Sequence, residues 1–178
     1  MTFSPDRYVA ALRFAAERHR GQLVPDSDLP YVVHITSVAA EVIAALGPSA
    51  VADPDLAVSC ALLHDTIEDT ETRREEVEAT FGAAVADGVA ALSKDASLPK
   101  EAQMADSLRR IRLQPREVWI VKLADRITNL APPPARWSSD KRRRYRDEAI
   151  AIADALGAAC APLDARIRMR ISDYERWL

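Results

Sequence analysis

Apolar residues recur along most of this chain at helical spacings, and no stretch alternates apolar and polar positions long enough to form a strand. No internal repeat is present either. The expected fold class is therefore all-α. Proline and glycine divide the pattern into segments. Ser4-Pro5-Asp6 supplies an N-cap and a first-turn proline for a helix to about Arg20, with Gly21 as its stop. A polar, proline-containing loop spans Gln22 to Pro30. The apolar pattern resumes from Val33 through Leu46, ends at Gly47-Pro48, and restarts at Asp53-Pro54. Thr72 with Glu75 reads as the capping box of a helix through Thr80, and Phe81-Gly82 separates it from a helix over Ala83 to Leu92. After a loop from Ser93 to Pro99, Lys100 to Arg112 reads as helix. Pro115 can be the first helical residue of a segment to about Leu130, which Pro132-Pro133-Pro134 ends. Helices over Ser139 to Leu156 and Ala158 to Trp177, with Gly157 between them, complete the pattern.

The segment beginning at Asp53-Pro54 changes character at its end. Leu56, Val58, Ala61, Leu62 and Leu63 lead into His64-Asp65 and Glu68-Asp69, and the run ALLHDTIEDT reads as one continuous helix. His64 would then stand over Glu68, and Asp65 over Asp69. An imidazole and three carboxylates at the end of an apolar helix are costly to bury without a compensating cation.

Partners for that cluster are few. The chain has three histidines, His19, His34 and His64. His34 follows Pro30-Tyr31-Val32-Val33 at the start of a helix, where its ring can project into a shared cavity. Asp125 interrupts the apolar pattern of Val118, Ile120, Val121, Leu123, Ile127 and Leu130, and Asn129 lies one turn on over the same face. His34, His64, Asp65 and Asp125 make a mixed nitrogen and oxygen set suited to Mn²⁺, Fe²⁺ or Zn²⁺, and to a catalytic rather than a structural ion. Taken singly, each residue also has a plainer role. A His-Asp pair can cap a helix or sit on the surface, Asp125 can pair with Lys122 or Arg126, and Asn129 can end a helix. His19 reads as a hydrogen-bonded packing residue, and Lys141 to Arg144 with Arg146 as a solvated helix face.

Composition narrows the classes. A chain of 178 residues, 48% apolar and 29% charged, fits one soluble globular domain over residues 1–178. No apolar run approaches the ~18 residues of a membrane span. The N-terminal segment carries charge throughout and lacks a secretory signal, so the cytoplasm is the expected compartment. Cys60 and Cys160 read as buried free thiols. A net charge of −3 offers no global attraction to nucleic acid or to an acidic membrane, so an anionic ligand must be met by a local cluster. Nothing in the pattern specifies an oligomeric state.

Five segments then occur in a telling order: HRGQ from His19, PYVVH from Pro30, LLHDTIEDT from Leu62, FG at Phe81 and VKLADRITNL from Val121. In order and approximate spacing, over roughly residues 8 to 156, the chain resembles the HD-domain hydrolases of the RelA/SpoT type, and within them the small stand-alone alarmone hydrolases. The resemblance implies an HD-domain helical bundle and a divalent ion, usually Mn²⁺, held by His34, His64, Asp65 and Asp125. It also implies that Glu68 and Asp69 act on the attacking water and that Asn129 helps hold the nucleotide sugar. The implied reaction removes the 3′ pyrophosphate from guanosine tetra- or pentaphosphate, leaving GDP or GTP.

The chain departs from the family where the base is recognised. After HRGQ, relatives carry a basic pair against guanine, whereas this chain has Leu23-Val24-Pro25-Asp26. After LADR-x-x-NL it has Ala131 and three prolines in place of a polar residue that can reach phosphate. Lys94, Lys100 and Tyr145 fall in regions that contact nucleotide in relatives. Two further readings therefore stand beside the first: the same metal site acting on another phosphorylated nucleotide, such as NADPH or a nucleoside monophosphate, and an HD-fold nucleotide-binding module without turnover.

Overall fold

A computed structural model of the chain describes residues 3–47 and 51–178. The expected stop at Pro48 lies outside the described residues. Among them the chain forms ten α-helices and no strand; an isolated antiparallel bridge joins Leu23 to Pro30. No described helix is long and apolar enough to cross a membrane.

The first three helices are α1 (Pro5–Arg18), α2 (Val32–Ala45) and α3 (Pro54–Leu63), followed by the single turn α4 (Thr66–Asp69). Ser4 and Asp53 cap α1 and α3 as their positions suggest, each accepting from a backbone N–H of the first turn. Next come α5 (Arg74–Phe81), α6 (Ala83–Leu92), α7 (Lys100–Ile111) and α8 (Arg116–Asn129). The chain ends with α9 (Ser139–Leu156), a 3₁₀ turn (Gly157–Ala159), α10 (Ala161–Tyr174) and a second 3₁₀ turn (Glu175–Trp177).

Two helices form the centre. In α3 every residue except Asp55 is buried, as expected of a helix that is apolar on all sides. In α8, Val118, Ile120, Val121, Leu123, Ala124 and Ile127 are fully buried. The two pack on each other, with α1, α2 and α6 against α3, and α2, α9 and α10 against α8. The site residues thus come from the ends of the best-packed elements. Gly88 of α6 makes a close approach possible, because a Cβ there would meet Cys60 Sγ at 2.7 Å and Val118 Cγ2 at 2.9 Å. Both cysteines are buried and unpaired.

Four expectations are corrected. The run ALLHDTIEDT is not one helix: α3 ends at Leu63, His64 and Asp65 form a turn, and α4 begins at Thr66. The local cause is competition for carbonyls, since the His64 ring takes Ala61 O and the Thr66 hydroxyl takes Leu63 O. The capping box shifts by one residue, Arg73 N–H donating to Glu76 at 2.9 Å while Thr72 is buried and bonded to Thr70. Pro115 is the N-cap of α8 rather than its first helical residue. The last helix starts at Ala161, because the backbone at Gly157 continues as a 3₁₀ turn.

Candidate metal centre

His34 lies in the first turn of α2, His64 and Asp65 in the turn closing α3, and Asp125 in α8. Packing of these three helices brings the four side chains together. The His34 and His64 Nε2 atoms are 3.3 Å apart, and each lies near Asp125 Oδ1, at 3.7 and 3.9 Å. One ligand atom from each of His34, His64 and Asp125 falls within 4.8 Å of the others. Asp65 flanks this trio, its Oδ2 being 2.9 Å from His64 Nε2 and 3.6 Å from His34 Nε2.

The hydrogen-bond roles decide what the cluster requires. His64 Nδ1 lies 2.8 Å from Ala61 O, and a carbonyl only accepts, so Nδ1 carries the proton. In the neutral ring Nε2 is then a bare lone pair, and it faces another imidazole nitrogen and two carboxylate oxygens. Acceptors converge on acceptors, which is stable only with a proton or a cation among them. Ligand atoms around a small divalent ion stand roughly 3–3.5 Å apart, so the donor types and the 3.3 Å imidazole separation both fit such an ion.

Without an ion, charge settles on the His64 ring. Burial works to lower the His64 pKa, but Asp65 and Asp125 outweigh it and push it up to about 9. Burial likewise opposes ionisation of Asp65, yet the His64 charge and the close His64 and Tyr31 donors hold it well below the usual carboxylate range. At Asp125, burial is opposed by the Lys122 and His64 charges, and the net direction is downward.

Tyr31, Lys122 and Asn129 each donate to a carboxylate of the cluster. Tyr31 OH donates to Asp65 Oδ2 at 2.5 Å, while burial and the Asp65 charge raise the phenol, keeping it a donor. Lys122 Nζ donates to Asp125 Oδ2 at 3.0 Å, and Asn129 Nδ2 to Asp125 Oδ1 at 2.5 Å. Of the plainer roles for Asp125, pairing with Lys122 is thus present alongside its place in the cluster. Arg126 is instead buried beneath the Tyr145 ring, 4.2 Å from its centroid, and reaches Glu148.

The two remaining carboxylates diverge along α4. Glu68 accepts from the Lys94 backbone N–H at 2.8 Å and from Lys94 Nζ at 3.1 Å. Asp69 accepts from Gln22 Nε2 at 3.3 Å. Burial, then the Asp65 and Glu68 charges, raise the Asp69 carboxyl against that bond. Asp69 therefore keeps a proton more readily than an isolated aspartate would.

His19 is buried and hydrogen-bonded, as its reading proposed. Lys141, Arg143 and Arg144 are solvated, whereas Arg142 and Arg146 are half-buried against the C-terminal turn. Tyr31 and the Lys94–Glu68 pair are the contacts that sequence reasoning missed. Tyr31 stands inside the PYVVH segment, but its partner is 34 residues away and no periodicity links them.

A helical body with a His-Asp pair closing a central helix, joined by a second imidazole and an aspartate from neighbouring helices, defines the HD-domain class. The HD domain family model matches residues 11–159, and the chain belongs to that family. Within it, the chain is 33% identical over 162 residues to guanosine-3′,5′-bis(diphosphate) 3′-pyrophosphohydrolase MESH1 of Danio rerio, covering 88% of each chain. It is 32% identical over 170 residues to MESH1 of Homo sapiens, covering 89% of each. Its fold matches the solved structure of a metazoan orthologue of SpoT that hydrolyses ppGpp, with a TM-score of 0.84, 27% identity and full coverage of both chains.

Proposed function

We propose that this chain is a metal-dependent phosphohydrolase that removes the 3′ pyrophosphate from guanosine tetra- or pentaphosphate, releasing pyrophosphate and GDP or GTP. The observation that carries this reading is the convergence of the His34, His64, Asp65 and Asp125 acceptor atoms beside the Glu68-Asp69 pair. The activity named for the MESH1 relatives, with which the chain shares most of its length, supports the choice of substrate.

His34, His64, Asp65 and Asp125 would hold the ion, for which Mn²⁺ is the proposed identity. When bound, such an ion neutralises charge on a phosphoryl oxygen and makes a water acidic near neutral pH. Glu68, fixed at both oxygens by Lys94, orients the water and takes a proton from it as its oxygen bonds to phosphorus. Asp69, whose carboxyl is raised by burial and by the Asp65 and Glu68 charges, gives a proton to the departing ribose oxygen as the P–O bond breaks. Asn129, exposed and anchored on Asp125, would help hold the nucleotide sugar. The proposed compartment is the cytoplasm.

One observation favours a broader substrate range. Leu23 is 49% exposed, and Asp26, the acidic member of that loop, is ion-paired with Arg136. The segment that is basic in relatives therefore offers guanine no free cation here. Incubation with Mn²⁺ and guanosine tetraphosphate, guanosine pentaphosphate, NADPH or nucleoside monophosphates tests the assignment. Pyrophosphate from the guanosine polyphosphates is the expected product. Orthophosphate from NADPH or a monophosphate, without pyrophosphate from the others, would move the assignment to the broader class, and no product at all would leave a binding module.

A further inference from the structure

We infer that His19 and Gln22 are positioning residues for Asp69, acting as a directional hydrogen-bond relay that runs from the end of the first helix to the catalytic turn. The inference rests on the reading of Asp69 as a catalytic carboxyl.

The relay is built from local geometry. After α1, Gly21 adopts φ +81, in the left-handed region that glycine reaches without cost, and the chain folds back so that Gln22 N–H donates to His19 O at 3.0 Å. Gln22 O in turn accepts from Tyr31 N–H at 2.9 Å, so the Gln22 backbone is fixed at both ends. Its side chain lies between two partners: Oε1 is 2.6 Å from His19 Nδ1, and Nε2 is 3.3 Å from Asp69 Oδ2.

Each bond sets the direction of the next. Gln22 Nε2 donates to Asp69 Oδ2, an oxygen that accepts whether the other carboxyl oxygen carries a proton or not, so Gln22 must turn its NH₂ toward it. Oε1 then faces His19, and His19 Nδ1 must donate. This assigns the ring proton to Nδ1, in agreement with a His19 Nε2 that is buried and has no protein partner. The ring is only 4% exposed and packs on the Tyr31 ring, with centroids 4.9 Å apart. Tyr31 and Gln22 thus share His19 as support while they hold Asp65 and Asp69 respectively. A surface glutamine has rotamer freedom, and buttressing by a buried ring removes it. The gain is in aim, since a displacement of about 1 Å at a reacting group can cost on the order of 10²-fold in rate.

Steady-state hydrolysis of guanosine tetraphosphate with Mn²⁺ tests the relay. His19→Ala and Gln22→Ala should each lower kcat roughly ten- to a hundred-fold, with KM within about twofold and with bound metal unchanged. His19→Asn places an amide N–H where Nδ1–H stood and should restore most of kcat, whereas His19→Gln, with its amide one bond further out, should not. Gln22→Glu should be at least as impaired as Gln22→Ala. In an Asp69→Asn background, Gln22→Ala should cost nothing more, because residues acting as a unit are not additive. Nitrogen NMR of His19 should show the proton on Nδ1 in the wild-type chain. Near wild-type kcat in the His19 and Gln22 variants, or equal losses with and without Asp69, would overturn the relay alone. Full activity of Asp69→Asn would overturn the catalytic reading of Asp69 and the relay with it.

Discussion

The His64 imidazole is asked to do two things with its two nitrogens, and the rest of the site follows from that division. Nδ1 is committed to Ala61 O, which leaves Nε2 to face the cluster. The neighbouring Asp65 has its own commitment, to Tyr31. Groups that orient ligands typically contribute ten- to a hundred-fold in metal affinity. Tyr31→Phe is therefore expected to weaken Mn²⁺ binding by about that factor while leaving the fold intact, as followed by metal titration; unchanged affinity would remove Tyr31 from the site. Glu68→Gln should keep the ion but lose roughly 10²–10⁴ in kcat, and full activity there would remove Glu68 from the chemistry. That His34, His64 and Asp125 come together was legible in part, because His64 ends an apolar helix, Asp125 interrupts another and His34 opens a third. The Tyr31–Asp65 and Lys94–Glu68 contacts were not, because a tyrosine beside a helix start and a lysine in a loop carry no sign of what faces them.

At the scale of elements, patterning located the helices well, although the signals at Thr72, Pro115 and Gly157 each placed a boundary one to three residues early. α6 and α9 occupy the spans expected of them, Ala83–Leu92 and Ser139–Leu156. Periodicity failed at His64-Asp65, where apolar spacing predicted a continuous helix and side-chain bonds to Ala61 O and Leu63 O ended it. The break has a use, because it lets Glu68 and Asp69 face Lys94 and Gln22 from a separate turn. Helix contact was likewise invisible at Gly88, which reads as a weak point in a helix and is in fact where α6 meets Cys60 and Val118. Gly88→Ala gains about 1 kcal/mol of helix propensity but overpacks a tight contact at a cost of about 1–3 kcal/mol. Net destabilisation is expected, seen as a lower Tm, and Cys60→Ala in the same chain should recover part of it. A Gly88→Ala chain as stable as wild type would show that α6 can shift freely.

For the molecule as a whole, the converging acceptors couple stability to pH and to metal. The His64 pKa is raised from 6.5 to about 9, so in the metal-free protein the folded state binds that proton more tightly than the unfolded chain does. This contribution is complete below about pH 6.5 and is lost as pH rises through about 9. Asp65 and Asp125, whose pKa values are lowered, contribute in the opposite sense: their share is present above the ordinary carboxylate range and is lost on acidification. Thermal unfolding of the metal-stripped chain should therefore show Tm falling between pH 6.5 and 9, with added Mn²⁺ reversing the fall because the ion replaces the proton among the ligands. A Tm independent of pH and of metal across that range would contradict the coupling.

The most direct measurement is bound metal and pyrophosphate release, determined on the same preparations of wild-type and His64→Ala protein incubated with guanosine tetraphosphate. About one divalent ion per chain and pyrophosphate equal to GDP are expected for the wild type, with both lost together in His64→Ala. A His64→Ala chain that keeps its metal, or that still releases pyrophosphate at the wild-type rate, would contradict the account.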